Sequence, residues 1–143
     1  MTLAFVNEAP ENSASNYPGT NFAGHCWAGT YKNKDDVESN LLSECFWMKQ
    51  DINYCKSKGV KILLSIGGEY DAKTSNYEVT TEDNGEYFAW FLYKAFGPYD
   101  PTWDGPRPFD ASPTEHTSVD GFDFDIEKKF GKKSRCPRYR CEM

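Results

Sequence analysis

An α/β fold with a parallel sheet is predicted for this chain of 143 residues by two observations. Two segments with apolar residues at helical spacing alternate with three short apolar runs, giving strand–helix–strand–helix–strand. The middle run, residues 60–66, is interrupted only by Lys61, as in parallel strands buried on both faces. Such alternation implies parallel pairing with right-handed crossovers. A closed barrel and an open doubly wound sheet share this periodicity, so the pattern alone leaves both open.

The elements follow in order. Residues 2–6 form a short apolar strand. Residues 7–34 are rich in Asn, Pro, Gly, Ser and Tyr and predict a long loop, of a length that compact domains usually keep for function. Asp35 or Asp36 is placed to cap a helix running to about Ser57. Its apolar face would be Val37, Leu41, Leu42, Cys45, Met48, Ile52 and Cys55, with Gly59 as the stop. After strand 60–66, Gly67-Gly68 permits a tight backbone path, and residues 69–82 are polar loop. Residues 83–96 predict a second helix with Phe88, Phe91, Leu92 and Ala95 on one face and Gly97 after it. Five prolines between 98 and 117 predict an irregular loop, and residues 119–126 the last strand. There is no internal repeat beyond this βα architecture. Dinucleotide, P-loop and nucleophile-elbow motifs are absent from the sequence.

The last strand carries the chemistry. In a β conformation Asp123, Asp125 and Glu127 share one face, and Phe122, Phe124 and Ile126 the other. Successive acids then sit roughly 6–7 Å apart. Three like charges in a row push their pKa values apart, which suits acid/base work. A solvated edge-strand face and an acidic metal patch are the competing readings. The Phe-Phe-Ile face, expected of a strand buried under helices, favours catalysis. Asp120 is out of phase with the row and is expected to be a structural acid at the strand's start.

The run Asp120-Gly121-Phe122-Asp123-Phe124-Asp125-Ile126-Glu127 resembles the D-G-x-D-x-D-x-E signature of family 18 glycoside hydrolases, the chitinases. Lys61-Ile62-Leu63-Leu64-Ser65-Ile66-Gly67-Gly68 is similar to the family's S-x-G-G strand. Thr2-Leu3-Ala4-Phe5-Val6-Asn7 with Asn21-Phe22-Ala23-Gly24-His25-Cys26 resembles the second strand and following loop of the plant and fungal class III enzymes. The resemblance implies a partial (β/α)₈ TIM barrel over residues 1–127, spanning its second to fourth strands. It implies hydrolysis of β-1,4-linked N-acetylglucosamine polymers with retention, the substrate's own acetamido carbonyl acting as nucleophile. Glu127 would be the general acid, its pKa raised by Asp125. Asp125 would orient the acetamido group, and Asp123 would hydrogen-bond Asp125 and share a proton with it. Phe5 and Gly68 would meet the substrate, and Tyr70, Trp27 and Trp103 are further cleft candidates, with ordinary packing the competing reading for each. No cofactor or metal is implied, and the partner would be chitin or a chitooligosaccharide. Relatives that keep the fold as lectin-like or inhibitor proteins supply the alternative. Loss of the terminal Glu would favour that alternative, and Glu127 is present.

Length, charge and cysteines complete the expectations. A whole barrel takes about 250 residues, so the chain is expected to be a fragment of one, with unpaired strand edges. Residues 128–143 carry seven Lys/Arg against one acid, and the preceding 127 residues carry nine basic and 21 acidic groups. The tail is open to two readings, a contact segment or a break in the coding sequence. The acidic body argues against nucleic acid, and no apolar run approaches a membrane span. Five cysteines are an odd set. By resemblance Cys26 and Cys45 form a disulfide and Cys55 lacks its partner. The resemblance also implies an extracellular enzyme, although the first residues do not read as a signal peptide. The sequence leaves the oligomeric state open.

Overall fold

The computed structural model describes residues 1–128. The expected basic tail, with Cys136 and Cys141, therefore lies outside the described residues except for Lys128. The chain folds as strand β1 (Thr2–Glu8), β2 (Gly19–Thr20), β3 (Thr30–Lys32), β4 (Glu38–Leu42), helix α1 (Phe46–Ser57), β5 (Leu63–Gly68), helix α2 (Glu82–Phe96) and β6 (Gly121–Ile126). The main sheet has the order β2-β1-β5-β6. β5 runs parallel to both β1 and β6, and β2 joins β1 antiparallel. The β1-α1-β5-α2-β6 frame is the mixed α/β pattern that the periodicity predicts.

The expected helix from Asp35 to Ser57 is a correction. Residues Glu38–Leu42 form a strand, hairpinned to Thr30–Lys32, and the helix starts only at Phe46. Local side-chain bonding takes the aspartates away from helix capping. The Asn33 side-chain carbonyl accepts the N–H of Asp35 at 2.9 Å and of Val37 at 3.0 Å, and Asp36 adopts a positive φ of 62°. That closes a turn, so Leu41 and Leu42 bury as strand residues. Cys45, joined to Cys26 by a disulfide, then precedes the helix. α1 buries Met48 and Ile52, and Gly59 at φ 78° ends it as anticipated.

α2 begins on Thr81, whose hydroxyl accepts the Asn84 N–H at 3.2 Å, with Glu82 and Asp83 in the first turn favouring the helix dipole. Its inward face is Phe88, Phe91, Leu92, Ala95 and Phe96. Each of the Phe and Leu side chains contributes about 1.5–3 kcal/mol by leaving water. The 98–117 segment is irregular yet well fastened. Arg107 donates to the Lys94 and Gly97 carbonyls, which satisfies groups orphaned at the end of α2, and to the Thr117 carbonyl, all at 2.8–2.9 Å. Asp110 pairs with Arg107 and His116. Burial alone would raise its pKa, but the Arg107 guanidinium, the Thr117 N–H and His116 together hold it below the usual range.

β6 departs from expectation on its apolar face. Phe122 packs against the core, but Phe124 is 70% exposed and Ile126 47%. β6 ends the sheet order, and among the described residues the core reaches Phe122 and stops. No helix among the described residues is long and apolar enough to cross a membrane.

Candidate active site

Two neighbouring strand ends build the site. β5 and β6 pair in unbroken register, Ser65 opposite Asp123, Gly67 opposite Asp125 and Gly68 opposite Ile126. Glu127 follows directly at the end of β6, exposed, with Asp125 half-buried one strand repeat behind it. A polar residue inside the apolar β5 run now has a function: the Ser65 hydroxyl donates to Asp123 Oδ2 at 2.8 Å. The expected Asp123–Asp125 hydrogen bond is not formed. In an extended strand these side chains stand one full repeat apart, and the buried Ser65 hydroxyl is the nearer partner.

The two glycines admit close contacts. A Cβ on Gly67, at φ 125°, would lie 1.9 Å from the Asp125 carbonyl oxygen, so only glycine lets β6 approach here. A Cβ on Gly68 would lie 3.0 Å from the Phe5 ring. Phe5 and Gly68 are therefore neighbours at the same end of the sheet as Glu127. The β1–β5 register shifts between Ala4 and Val6, and Phe5 exchanges both backbone hydrogen bonds with Asn21 instead. A cavity of about 410 Å³ opens beside Phe5, Asn21, Gly67 and Glu69. It shares Asn7, Asn21, Ala23 and Thr74 with a cavity of about 470 Å³ that reaches Trp27. In the second cavity, burial raises the pKa of Glu8 against a hydrogen bond from Asn40.

Asp120 stands apart from this row. Its Oδ2 accepts the Ile62 N–H at 2.8 Å and Lys56 Nζ at 3.1 Å, and Oδ1 faces Lys61 at 3.4 Å. The Ile62 N–H first, then the Lys56 ammonium, lower its pKa to about 2. These contacts clip the entry of β6 to the entry of β5. Trp103 packs edge-on against Phe91 and Trp90, with its indole N–H on the Pro106 carbonyl, away from the cleft residues. Cys55 is free among the described residues. No cluster of three or more His, Cys, Asp or Glu suited to a metal occurs among them.

Sequence reasoning missed Tyr77, a buried residue whose hydroxyl contacts the backbone of Gly68, Glu127 and Lys128. Its only signal was an aromatic residue within a polar loop, which has no fixed offset from the strands it joins.

No protein-family profile matches the chain. Curated relatives do. The chain is 44% identical over 131 residues to a probable endochitinase of Arthroderma benhamiae, covering 92% of this chain and 17% of the relative. It is 42% identical over 131 residues to endochitinase A1 of Aspergillus fumigatus, covering 92% and 15%. The chain thus spans less than a fifth of these relatives' length. The crystal structure of the ICChI chitinase from Ipomoea carnea is 30% identical with a TM-score of 0.59, over 90% of this chain and 37% of that one. A xylanase–α-amylase inhibitor protein, XAIP-I, crystallised with trehalose, shares the fold at 23% identity and a TM-score of 0.60, over 90% and 36%. Over about nine-tenths of its length the chain is a homologue of these endochitinases, and its fold matches that of the chitinase structure.

Proposed function

We propose that residues 1–127 are part of a (β/α)₈ catalytic domain, followed by a basic tail over 128–143, and that the domain hydrolyses chitin or chitooligosaccharides. The observation that carries this reading is the placement of Glu127. It stands at the exposed end of β6, beside the Gly68–Phe5 contact and past an acid row braced from β5. In this reading Glu127 gives its proton to the glycosidic oxygen as the C1–O bond breaks. The substrate's acetamido oxygen bonds to C1 in place of an enzyme carboxylate, so water then attacks with net retention. Asp125 orients that acetamido group and stabilises its developing positive charge, while Asp123, held by Ser65, supports Asp125 electrostatically. Phe5 supplies an aromatic face for a sugar ring, and Gly68 leaves room for it. Asp120 and the Cys26–Cys45 disulfide act structurally. The disulfide favours an oxidising compartment and hence an extracellular site of action.

A non-hydrolytic, inhibitor-like role is the second reading, favoured by the fold shared with XAIP-I. Glu127 separates the two. Residues 1–127 exchanged into the matching stretch of the Aspergillus endochitinase are expected to support hydrolysis of an N-acetylglucosamine tetramer, releasing the β-anomer first. Glu127→Gln should lower turnover by about 10²–10⁴-fold with binding largely kept, because the amide retains shape but donates no proton to the leaving group. Cello-oligosaccharides should be inert. Near-normal hydrolysis by the Gln variant, or early α-anomer in the product NMR spectrum, would remove Glu127 from this role.

A further inference from the structure

The segment between β5 and α2 reaches back to the catalytic strand through one side chain. The Tyr77 hydroxyl donates to the Gly68 carbonyl at 3.0 Å and accepts the N–H groups of Glu127 at 3.0 Å and Lys128 at 3.1 Å. A phenol has one donor and two acceptor positions, and all three are filled by backbone. The residue is only 6% exposed and its ring packs edge-on against Tyr70 at 5.5 Å. The β5–β6 register ends at Gly68 opposite Ile126, one residue short of Glu127. The Tyr77 oxygen therefore replaces the missing rung of the ladder.

Neighbouring groups fasten the same point. The Lys128 ammonium pairs with the Glu78 carboxylate and lies 4.8 Å above the Tyr70 ring. Tyr70 donates its hydroxyl to the same carboxylate at 3.3 Å. A general acid must meet its oxygen within hydrogen-bond reach, and a misplacement of about 1 Å can cost about 10²-fold in rate. A residue at a strand end has one free side, and thermal fraying there moves its side chain directly.

We propose that Tyr77 is a positioning residue for Glu127, holding its backbone against the end of β5 so that the carboxyl meets the substrate at a fixed height. The inference rests on the reading of Glu127 as proton donor. Tyr77 itself does not touch the reacting atoms. Because the ring is packed independently of the hydroxyl, Tyr77→Phe removes the three hydrogen bonds and keeps the packing.

In the full 143-residue chain, hydrogen exchange of the Glu127 and Lys128 amides in Tyr77→Phe is expected to accelerate by at least about 10-fold, with β1 and α2 amides little changed. In the endochitinase exchange protein, the same substitution should lower kcat by roughly 10- to 100-fold while KM stays within about twofold. A purely structural tyrosine would instead lower Tm and loosen exchange throughout, with kcat kept well below that Tm. Unchanged exchange at Glu127 and Lys128, or an unchanged kcat in the active protein, overturns the inference. The parallel Glu127→Gln variant keeps the two questions apart. Hydrolysis surviving in that variant counts against the catalytic reading, whereas the Tyr77→Phe amide rates alone decide whether the tyrosine holds that backbone.

Discussion

Asp120 and Asp123 show how two acids three positions apart acquire different surroundings. Asp120 accepts a backbone N–H and two ammonium groups, and Asp123 a single hydroxyl. The Asp120 pKa lies at about 2, below the ordinary 3.8. A carboxylate depressed in the folded state stabilises the fold above its ordinary pKa and loses that contribution as pH falls through the folded value. Asp120→Asn is therefore expected to lower Tm most above about pH 4, with the gap from the parent chain closing as pH falls to about 2. Thermal unfolding followed by circular dichroism across that range checks this. A gap independent of pH would show that Asp120 contributes only its shape and neutral hydrogen bonding.

Between elements, the decisive contact is the approach of β6 to β5 at Gly67. Gly67→Ala sets a methyl 1.9 Å from the Asp125 carbonyl oxygen, and the φ of 125° is one that alanine rarely adopts. Neither atom is the flexible end of a side chain, so the strands must part. The expected loss exceeds the ~1–3 kcal/mol of an ordinary overpacking substitution. It is read as a fall in urea midpoint together with faster exchange along Gly121–Ile126. A variant with the parent midpoint would mean that β6 shifts its register at no cost. The helices respond to simpler rules. Apolar spacing and Gly59 locate α1 and its end, and α2 follows its Thr81 cap and aromatic face. Residues 35–42 stay out of the helix because the Asn33 side-chain oxygen takes the backbone N–H groups of Asp35 and Val37 and closes a turn there.

At the scale of the whole fold, β6 ends the sheet order among the described residues, with Phe124 70% and Ile126 47% exposed. An apolar edge strand is a template for pairing with another chain. The 143-residue chain is expected to self-associate at roughly micromolar to millimolar concentration. Phe124→Lys, a charge of the kind natural edges carry, should shift it toward monomer. Light scattering coupled to size-exclusion chromatography reads both. A parent chain that stays monomeric over that range would show that this edge does not act as a pairing template.

Much of the frame was legible from the chain alone, because it depends on periodicity and on short motifs. The strand–helix alternation, the acid row on β6, the glycine pair after β5 and the parity of Asp120 are all local patterns, and local patterns survive without coordinates. The motif resemblance also singles out Phe5 and Gly68, which the fold brings into contact. What the coordinates added is long in sequence and short in space. Ser65 reaches Asp123 across 58 positions, Tyr77 reaches Glu127 across 50, and Lys56 reaches Asp120 across 64. Such pairs leave no spacing to read, since the sheet order, not the chain order, makes them neighbours. The exposed face of Phe124 has the same origin. Alternation says that two faces differ, but whether an apolar face is covered depends on which elements pack against it.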